Sequence, residues 1–378
     1  MELINRSRLM GGYTTSTDKT GREWLVVVAK GTYGIPGHPS HEPRLLEHQV
    51  PLTTADVFPG DPAESAASYE NDFALYKPRC DVLLNGHCYA PNGEPATEVT
   101  VALKVGTLVK AFKVVGARVH EAGALSNSIS KPLPFTTLPV TYAQAFGGVD
   151  RSDPAKPRWH LGNPVGVGFY PGANEAQLNG MPLPNTEELH LPATTPDGNY
   201  RPMAFGPVGR AWQQRVRWAG TYDQHWLDHQ FPFLPEDFDV RYFQSAPEDQ
   251  QMDYPQGGEE VALLNLDANG RSAFRLPANL RLAVLIVLHD GSTREAAAIV
   301  DTVILEPDAG RFTLTWRTSS PLQRNLREIA KVILGQTTAQ YEQAKAYEER
   351  MRGKLYFKSL DRLIAWSREA YPPSQEEV

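Results

Sequence analysis

The sequence predicts a mainly β fold, an antiparallel sandwich-like or barrel-like body with long ordered loops and a C-terminal α-helical tail. Three observations carry this reading. Over roughly the first 300 residues, short β-branched and aromatic runs alternate with clusters of Gly, Pro, Asn and Asp. The 378-residue chain holds 31 prolines and 30 glycines, too many breakers for long helices in that part. After Arg317 the apolar spacing turns helical.

Residues 24–29, Trp24 followed by Leu25 and three valines, form a compact β-branched run and read as a buried strand; residues 81–87 read as another. The clearest hairpin covers residues 99–119, where Val101, Leu103 and Val105 alternate before Gly106-Thr107, with Val109, Phe112, Val114 and Val115 following. Residues 147–210 are dense in Pro, Gly and Asn and read as long ordered loops, because Trp159, Phe169 and Phe205 offer surface to bury. Residues 282–288 are continuously apolar, which predicts a strand covered on both faces. A second hairpin joins residues 300–305 to 312–316 through Pro307-Asp308-Ala309-Gly310, whose proline and glycine suit a turn.

Beyond it, Leu322, Leu326, Ile329 and Ile333 recur at helical spacing, and Gly335 stands where a helix would end. Thr337 and Thr338 can cap a second helix running towards Gly353, and a third should hold Leu360, Leu363, Ile364 and Trp366 before Pro372. The division predicted is therefore a β-rich body over residues 1–318 and a helical tail over residues 319–378. The tail carries about +2 and the body about −9, so the tail can dock on its own body.

Hydrophobic content of 41% and charged content of 21% are ordinary for a globular chain. No apolar stretch reaches the length of a membrane span and no export signal opens the chain, so a cytoplasmic protein with no membrane association is expected. Two cysteines, Cys80 and Cys88, are too few for a disulfide framework and read as buried thiols of a reducing compartment. The net charge of −7 argues against nucleic acid as a partner. Residues 211–260 hold ten acidic side chains against three basic ones, Arg215, Arg217 and Arg241, a local field that suits either solvation or a basic partner.

The chain shows no phosphate-binding loop, dinucleotide fingerprint, nucleophile elbow, zinc-protease helix or calcium loop. His225 and His229 would share a helical face at i, i+4, but no glutamate stands between them to act as a base, and no metal site is assigned. Asp223, Asp237, Asp239 and Glu259 lie in an aromatic neighbourhood and supply carboxylates for a carbohydrate-active or other hydrolase, the alternative reading. No catalytic residue or cofactor is assigned.

The most informative stretch runs from Trp212 to Phe243. Trp212, Trp218, Tyr222, Asp223, Trp226, Asp237, Phe238 and Asp239 combine rigid aromatics with acids and neighbouring prolines, a pattern that serves either a core wedge or a preorganised partner surface. Phe231-Pro232-Phe233 reads as the inward side of a short helix containing Trp226.

Several motifs in order carry a resemblance. They are Gly86-His87-x-Tyr89-Ala90-Pro91, Leu138-Pro139-Val140-Thr141-Tyr142, Ala145-Phe146-Gly147-Gly148, Asn163-Pro164-Val165-Gly166, Ala219-Gly220-Thr221-Tyr222-Asp223 and Pro235-x-Asp237-Phe238-Asp239. From about Leu25 to Trp316 the chain resembles a family of domains of unknown function encoded beside VgrG spike genes. That resemblance implies a non-enzymatic type VI secretion adaptor or chaperone, which binds a secreted effector, often one with a PAAR tip domain, and promotes its loading onto the VgrG spike. It does not extend to the helices after Leu322.

Overall fold

The computed structural model describes residues 1–121, 123, 128–351 and 359–370. The architecture is mainly β, as predicted, with a nearly closed barrel-like sheet. The main path of this nine-stranded sheet runs Glu2–Asn5, Ile329–Leu334, Leu282–Leu288, Thr293–Glu306, Arg311–Pro321, Glu23–Gly34 and Met10–Thr17. Cys80–Leu84 joins the second half of Thr293–Glu306 in parallel and carries Gln251–Met252 on its other side. The two ends of the path are consecutive in the chain and meet where Asn5 and Leu334 pack over Gly11.

A five-stranded sheet, in the order Thr186–Glu187, Leu108–Val115, Glu98–Val105, Glu260–Leu264 and Arg271–Arg275, closes the main core. In Glu98–Val105 every second side chain, Val99, Val101, Leu103 and Val105, is buried, as a strand with one wet face requires. Phe274 of this sheet stacks on Phe312 of the larger one at 5.2 Å, so both sheets share one core. Both predicted hairpins are present, with Val105 opposite Leu108 and Glu306 opposite Arg311.

The strand Leu282–Leu288 is covered on both faces. Leu282, Val284 and Ile286 enter the main core, whereas Leu285 and Val287 pack with Ile4, Ile333 and Tyr341 on the other side. Residues 147–210 hold their shape through very short pairings, such as Phe146–Gly147 with Val167–Gly168. Asn163 sits fully buried at their centre and donates from Nδ2 to the carbonyls of Tyr142 (2.9 Å) and Phe146 (3.1 Å). Gly147, at φ 149°, lies against the Asn163 carbonyl so closely that a Cβ would collide with it. Phe205 is buried, but Trp159 is exposed rather than part of this packing.

The helix predicted across Leu322, Leu326, Ile329 and Ile333 does not form. A short 3₁₀ turn, Leu326–Glu328, leads into the strand Ile329–Leu334, which pairs antiparallel with Leu282–Leu288 and parallel with Glu2–Asn5. Gly335, at φ 78°, ends a strand and not a helix, and its N–H bonds to Ala283 O at 2.9 Å. A division at residues 318 and 319 thus falls inside the strand Arg311–Pro321. The helical part begins at Thr338–Met351, where Thr337 and Gln340 exchange hydrogen bonds (3.3 and 3.0 Å) in a capping box. Leu360–Ala370 is the last described helix; Gly353 and Pro372 lie outside the described residues. Among the described residues no helix is long and apolar enough to cross a membrane.

The outer face of the larger sheet holds a layer of buried ions. Lys30 pairs with Asp72, Lys77 with Asp81 (2.7 Å) and Arg317 with Asp301 (2.6 Å), all six side chains being buried. Their remaining capacity is taken up by Thr53, Gln244, Ser245, Thr302 and the carbonyls of Asp72 and Ala74. Such pairs survive burial only when hydrogen bonds satisfy both partners, and these do. Cys80 and Cys88 are buried free thiols; burial pushes the Cys80 thiol well above its ordinary range and the Cys88 thiol up to about 12, which leaves both unreactive.

Candidate partner surface

Residues 212–243 fold into a knob built from the short helices Gln213–Val216 and Gln224–His229 and the 3₁₀ turn Val240–Phe243. The carboxylates of this acidic stretch hold its backbone. Asp223 caps the helix Gln224–His229 by accepting the Trp226 N–H at 2.9 Å. Asp237 accepts both the N–H and the hydroxyl of Thr221, at 2.9 and 2.8 Å. Those two bonds hold the Asp237 carboxyl below the usual carboxylate range. Asp239 receives the Arg241 guanidinium through two hydrogen bonds (2.9 and 2.7 Å) and caps the 3₁₀ turn, which lowers it too.

Gly220 explains the Ala219-Gly220-Thr221 motif. Its φ of 84° belongs to the left-handed region, and a Cβ there would meet Pro235 and Asp237. Only glycine lets the chain turn tightly enough for Thr221 to reach Asp237. Similarly, Gly86-His87-x-Tyr89 serves a turn: His87 and Tyr89 both bond to Asp308, at 2.7 and 2.8 Å, and fix the Pro307–Ala309 turn. The motifs at these positions build backbone turns rather than a reactive cluster.

The eight expected contact residues separate by depth. Trp212 is buried, edge-on to Tyr142 at 5.0 Å, and Phe238 is buried beside Tyr242 and Phe243, so both support the knob from below. Trp218 is half-buried between two guanidinium groups, Arg241 at 3.3 Å and Arg217 at 4.8 Å from its ring centroid. It lines a polar 490 Å³ cavity with Lys110, Arg201 and Asp249. Burial there draws the Lys110 ammonium down to about 8 despite its ion pair with Asp249.

Tyr222 and Trp226 form the outer aromatic pair, edge-to-face at 4.8 Å, and Phe231 extends it at 5.6 Å from Trp226. Tyr222, Leu227, Phe231 and Phe233 are 53, 52, 63 and 45% exposed, so Phe231 and Phe233 face outward rather than into the core as expected. The Trp226 indole N–H donates to Phe233 O at 2.8 Å, which holds the ring in place under the patch. Phe233 also leans over Gly21, and Lys19 donates to Glu236 O, seating the knob on the turn between Met10–Thr17 and Glu23–Gly34. Three of the exposed apolar residues, Leu227, Phe231 and Phe233, were legible as apolar but not as surface. Asp223, Glu236 and Asp237 gather beside Trp226, and exposed Asp228 follows Leu227 in the chain, which gives this patch an acidic border.

Asp223 and Asp237 do line one cavity, with Glu236, but its volume is 180 Å³, below the usual range for a small-molecule site, and Asp223 and Asp237 are each committed to a backbone N–H. Glu259 stands apart at the head of Glu260–Leu264, accepting the N–H groups of Gln256 and Gly257. His225 and His229 are both exposed, their rings tilted at 30° to each other with centroids 4.6 Å apart. Among the described residues no group of three or more potential ligands is placed to hold a metal.

A family model described as an uncharacterized protein conserved in bacteria (DUF2169) matches residues 20–317, close to the span over which the motifs occur. No curated protein and no solved structure matches the chain.

Proposed function

The chain belongs to this DUF2169 family of bacterial proteins, and from that premise we propose that it is a non-enzymatic cytoplasmic adaptor or chaperone of type VI secretion. It binds a secreted effector, through the effector's PAAR or N-terminal region, and promotes loading onto the VgrG spike. The secretion context rests on the motif resemblance; the binding role rests on the knob. The observation that carries it is the preformed apolar surface of Tyr222, Leu227, Phe231 and Phe233, with carboxylates beside it and fixed by side-chain hydrogen bonds. Rigid aromatics at the centre of a polar rim bind with little loss of conformational entropy, which is how protein contact sites concentrate their energy. The acidic rim favours a basic cargo surface.

A tagged full-length chain should copurify the effector encoded beside it together with VgrG. Tyr222→Ala combined with Phe231→Ala should weaken effector capture by roughly tenfold or more while the melting temperature stays unchanged. Capture unaffected by the double substitution, together with normal effector secretion in a deletion strain, would overturn the reading.

A further inference from the structure

The strand Thr293–Glu306 changes neighbours half-way along. Its first half pairs with Leu282–Leu288 and its second with Cys80–Leu84, while on its other side it pairs with Arg311–Pro321 only as far as Ile299 opposite Arg317. From there Arg311–Pro321 stays with Glu23–Gly34, down to Pro321 opposite Trp24, so the two strands diverge. The register shifts between Val300 and Thr302, a bulge that increases local twist, and Asp301 forks onto Arg317 at 2.6 and 3.2 Å to fix the vertex.

The divergence leaves two rows of backbone groups facing a gap. Leu288 N–H donates to Ser292 O, so with the antiparallel register the even-numbered residues of this half-strand bond to Leu282–Leu288. The N–H and C=O groups of Thr293, Glu295 and Ala297 then point the other way. Across the gap, Leu322 N–H donates to Glu23 O, which leaves Ser319 and the Pro321 carbonyl facing it. Among the described residues the hydrogen bond to these groups is a long one, Arg294 Nη1 to Pro321 O at 3.4 Å.

At the mouth of the gap lies a 510 Å³ cavity walled by Trp24, Leu75, Tyr76, Val240, Ala297 and Ile299 and reaching the Asp301–Arg317 pair. Tyr76 and Ile299 are exposed. Asp18 lines the cavity, and Glu295 lies two residues before Ala297 on the same face of its strand; Asp18 accepts hydrogen bonds from Thr20, Arg22 and Trp24 and Glu295 accepts the Thr338 N–H, while among the described residues neither carboxylate belongs to an ion pair. Val240 follows Asp239 of the knob, and Asp18 opens the turn whose Gly21 lies under Phe233, so the gap is continuous with the aromatic surface.

We propose that this gap is a strand-addition slot for an extended cargo segment of alternating apolar residues flanked by lysine or arginine. Such a segment satisfies both rows of backbone groups, seats an apolar side chain in the cavity and sets its cations against Asp18 and Glu295. The inference rests on the proposed cargo binding and adds a contact of different chemistry beside the aromatic surface.

Amide hydrogen exchange on the full-length chain tests it, with a synthetic peptide of alternating valine and threonine carrying lysines at both ends as the probe. The amides of Glu295, Ala297 and Ser319 should slow by roughly tenfold or more with this peptide and not with the same peptide carrying glutamates at its ends. Ala297→Pro removes a free donor while Ala296 and Ala298 keep the ladder, and should abolish the protection. Ala297→Trp, which blocks the cavity mouth without touching the backbone, should do the same if the proline variant folds poorly. No protection at these amides, equal protection by both peptides, or protection that grows with protein concentration alone would overturn the slot, the last by making a second copy its occupant. Tyr222→Ala with Phe231→Ala must leave peptide-induced protection intact; loss of effector capture in that variant concerns the aromatic surface, and loss of protection in the wild-type chain concerns the slot.

Discussion

The outer face of the large sheet and the knob over residues 212–243 are both rich in carboxylates, and they use them in opposite ways. On the sheet, Asp72, Asp81 and Asp301 are buried against the buried cations Lys30, Lys77 and Arg317, and the further hydrogen bonds of this layer, to Thr302, Gln244, Ser245 and the Asp72 carbonyl, join segments more than 160 positions apart. In the knob, Asp223, Asp237 and Asp239 sit near the surface and bond within a few residues or across one loop. The first arrangement ties the covering segments to the sheet and makes them part of one cooperative unit. The second fixes the shape of a surface without making the fold depend on it.

Breaking the buried layer is therefore expected to have the largest effect. Arg317→Ala strands Asp301 without its cation and should cost about 3–5 kcal/mol of unfolding free energy, measured by denaturant titration. The paired change Arg317→Met with Asp301→Leu should recover much of that loss; equal destabilisation by the single and double changes would show that the pair itself is not what the face requires.

The knob should respond locally. Gly220→Ala forces a side chain into the left-handed region and against Pro235, a strain on the order of 1–3 kcal/mol. It should raise proteolysis and amide exchange within residues 212–243 before the sheets unfold. Asp223→Ala, which removes one helix cap, should cost about 1 kcal/mol, also confined to the knob. If either change lowers the global melting temperature as much as Arg317→Ala does, the contrast between the two regions fails.

Acid should produce the smallest effect. The folded values of Asp237 and Asp239 lie below the ordinary 3.8, so their contribution is present above that value and is lost as pH falls through the lower folded values. Below about 3.8 the knob should loosen, seen as increased exchange at Thr221 and Arg241. Lys110 has the opposite sign. Burial lowers its folded value from 10.5 to about 8, so its penalty on the folded state is full below 8 and disappears as pH rises through 10.5. A nitrogen-detected titration of its ammonium near pH 8 checks this.

The depth of the aromatic residues was the least legible feature. Trp212 and Phe231 look alike in sequence, yet one packs edge-on to Tyr142 and the other stands in solvent, because Tyr142 arrives from a loop some seventy positions earlier. The helix read across Leu322 to Ile333 failed for a similar reason. Its apolar spacing satisfied a helical period, but Glu2–Asn5 and Leu282–Leu288 offered two strand partners that no local pattern announces. The helix cap at Thr337, by contrast, needed only a few residues of context and was readable, although its reciprocal bond to Gln340 was not read.

By itself the sequence determined the β-rich class, both hairpins, the doubly covered strand Leu282–Leu288 and the turn built on Pro307. All of these follow from side-chain alternation and from backbone angles that particular residues permit. Only the tertiary structure decided which carboxylates are buried against cations, which aromatics face outward, and where Thr293–Glu306 parts from Arg311–Pro321. Those outcomes depend on the segments that cover each residue, up to 245 positions away in the chain, whose energies local periodicity does not encode.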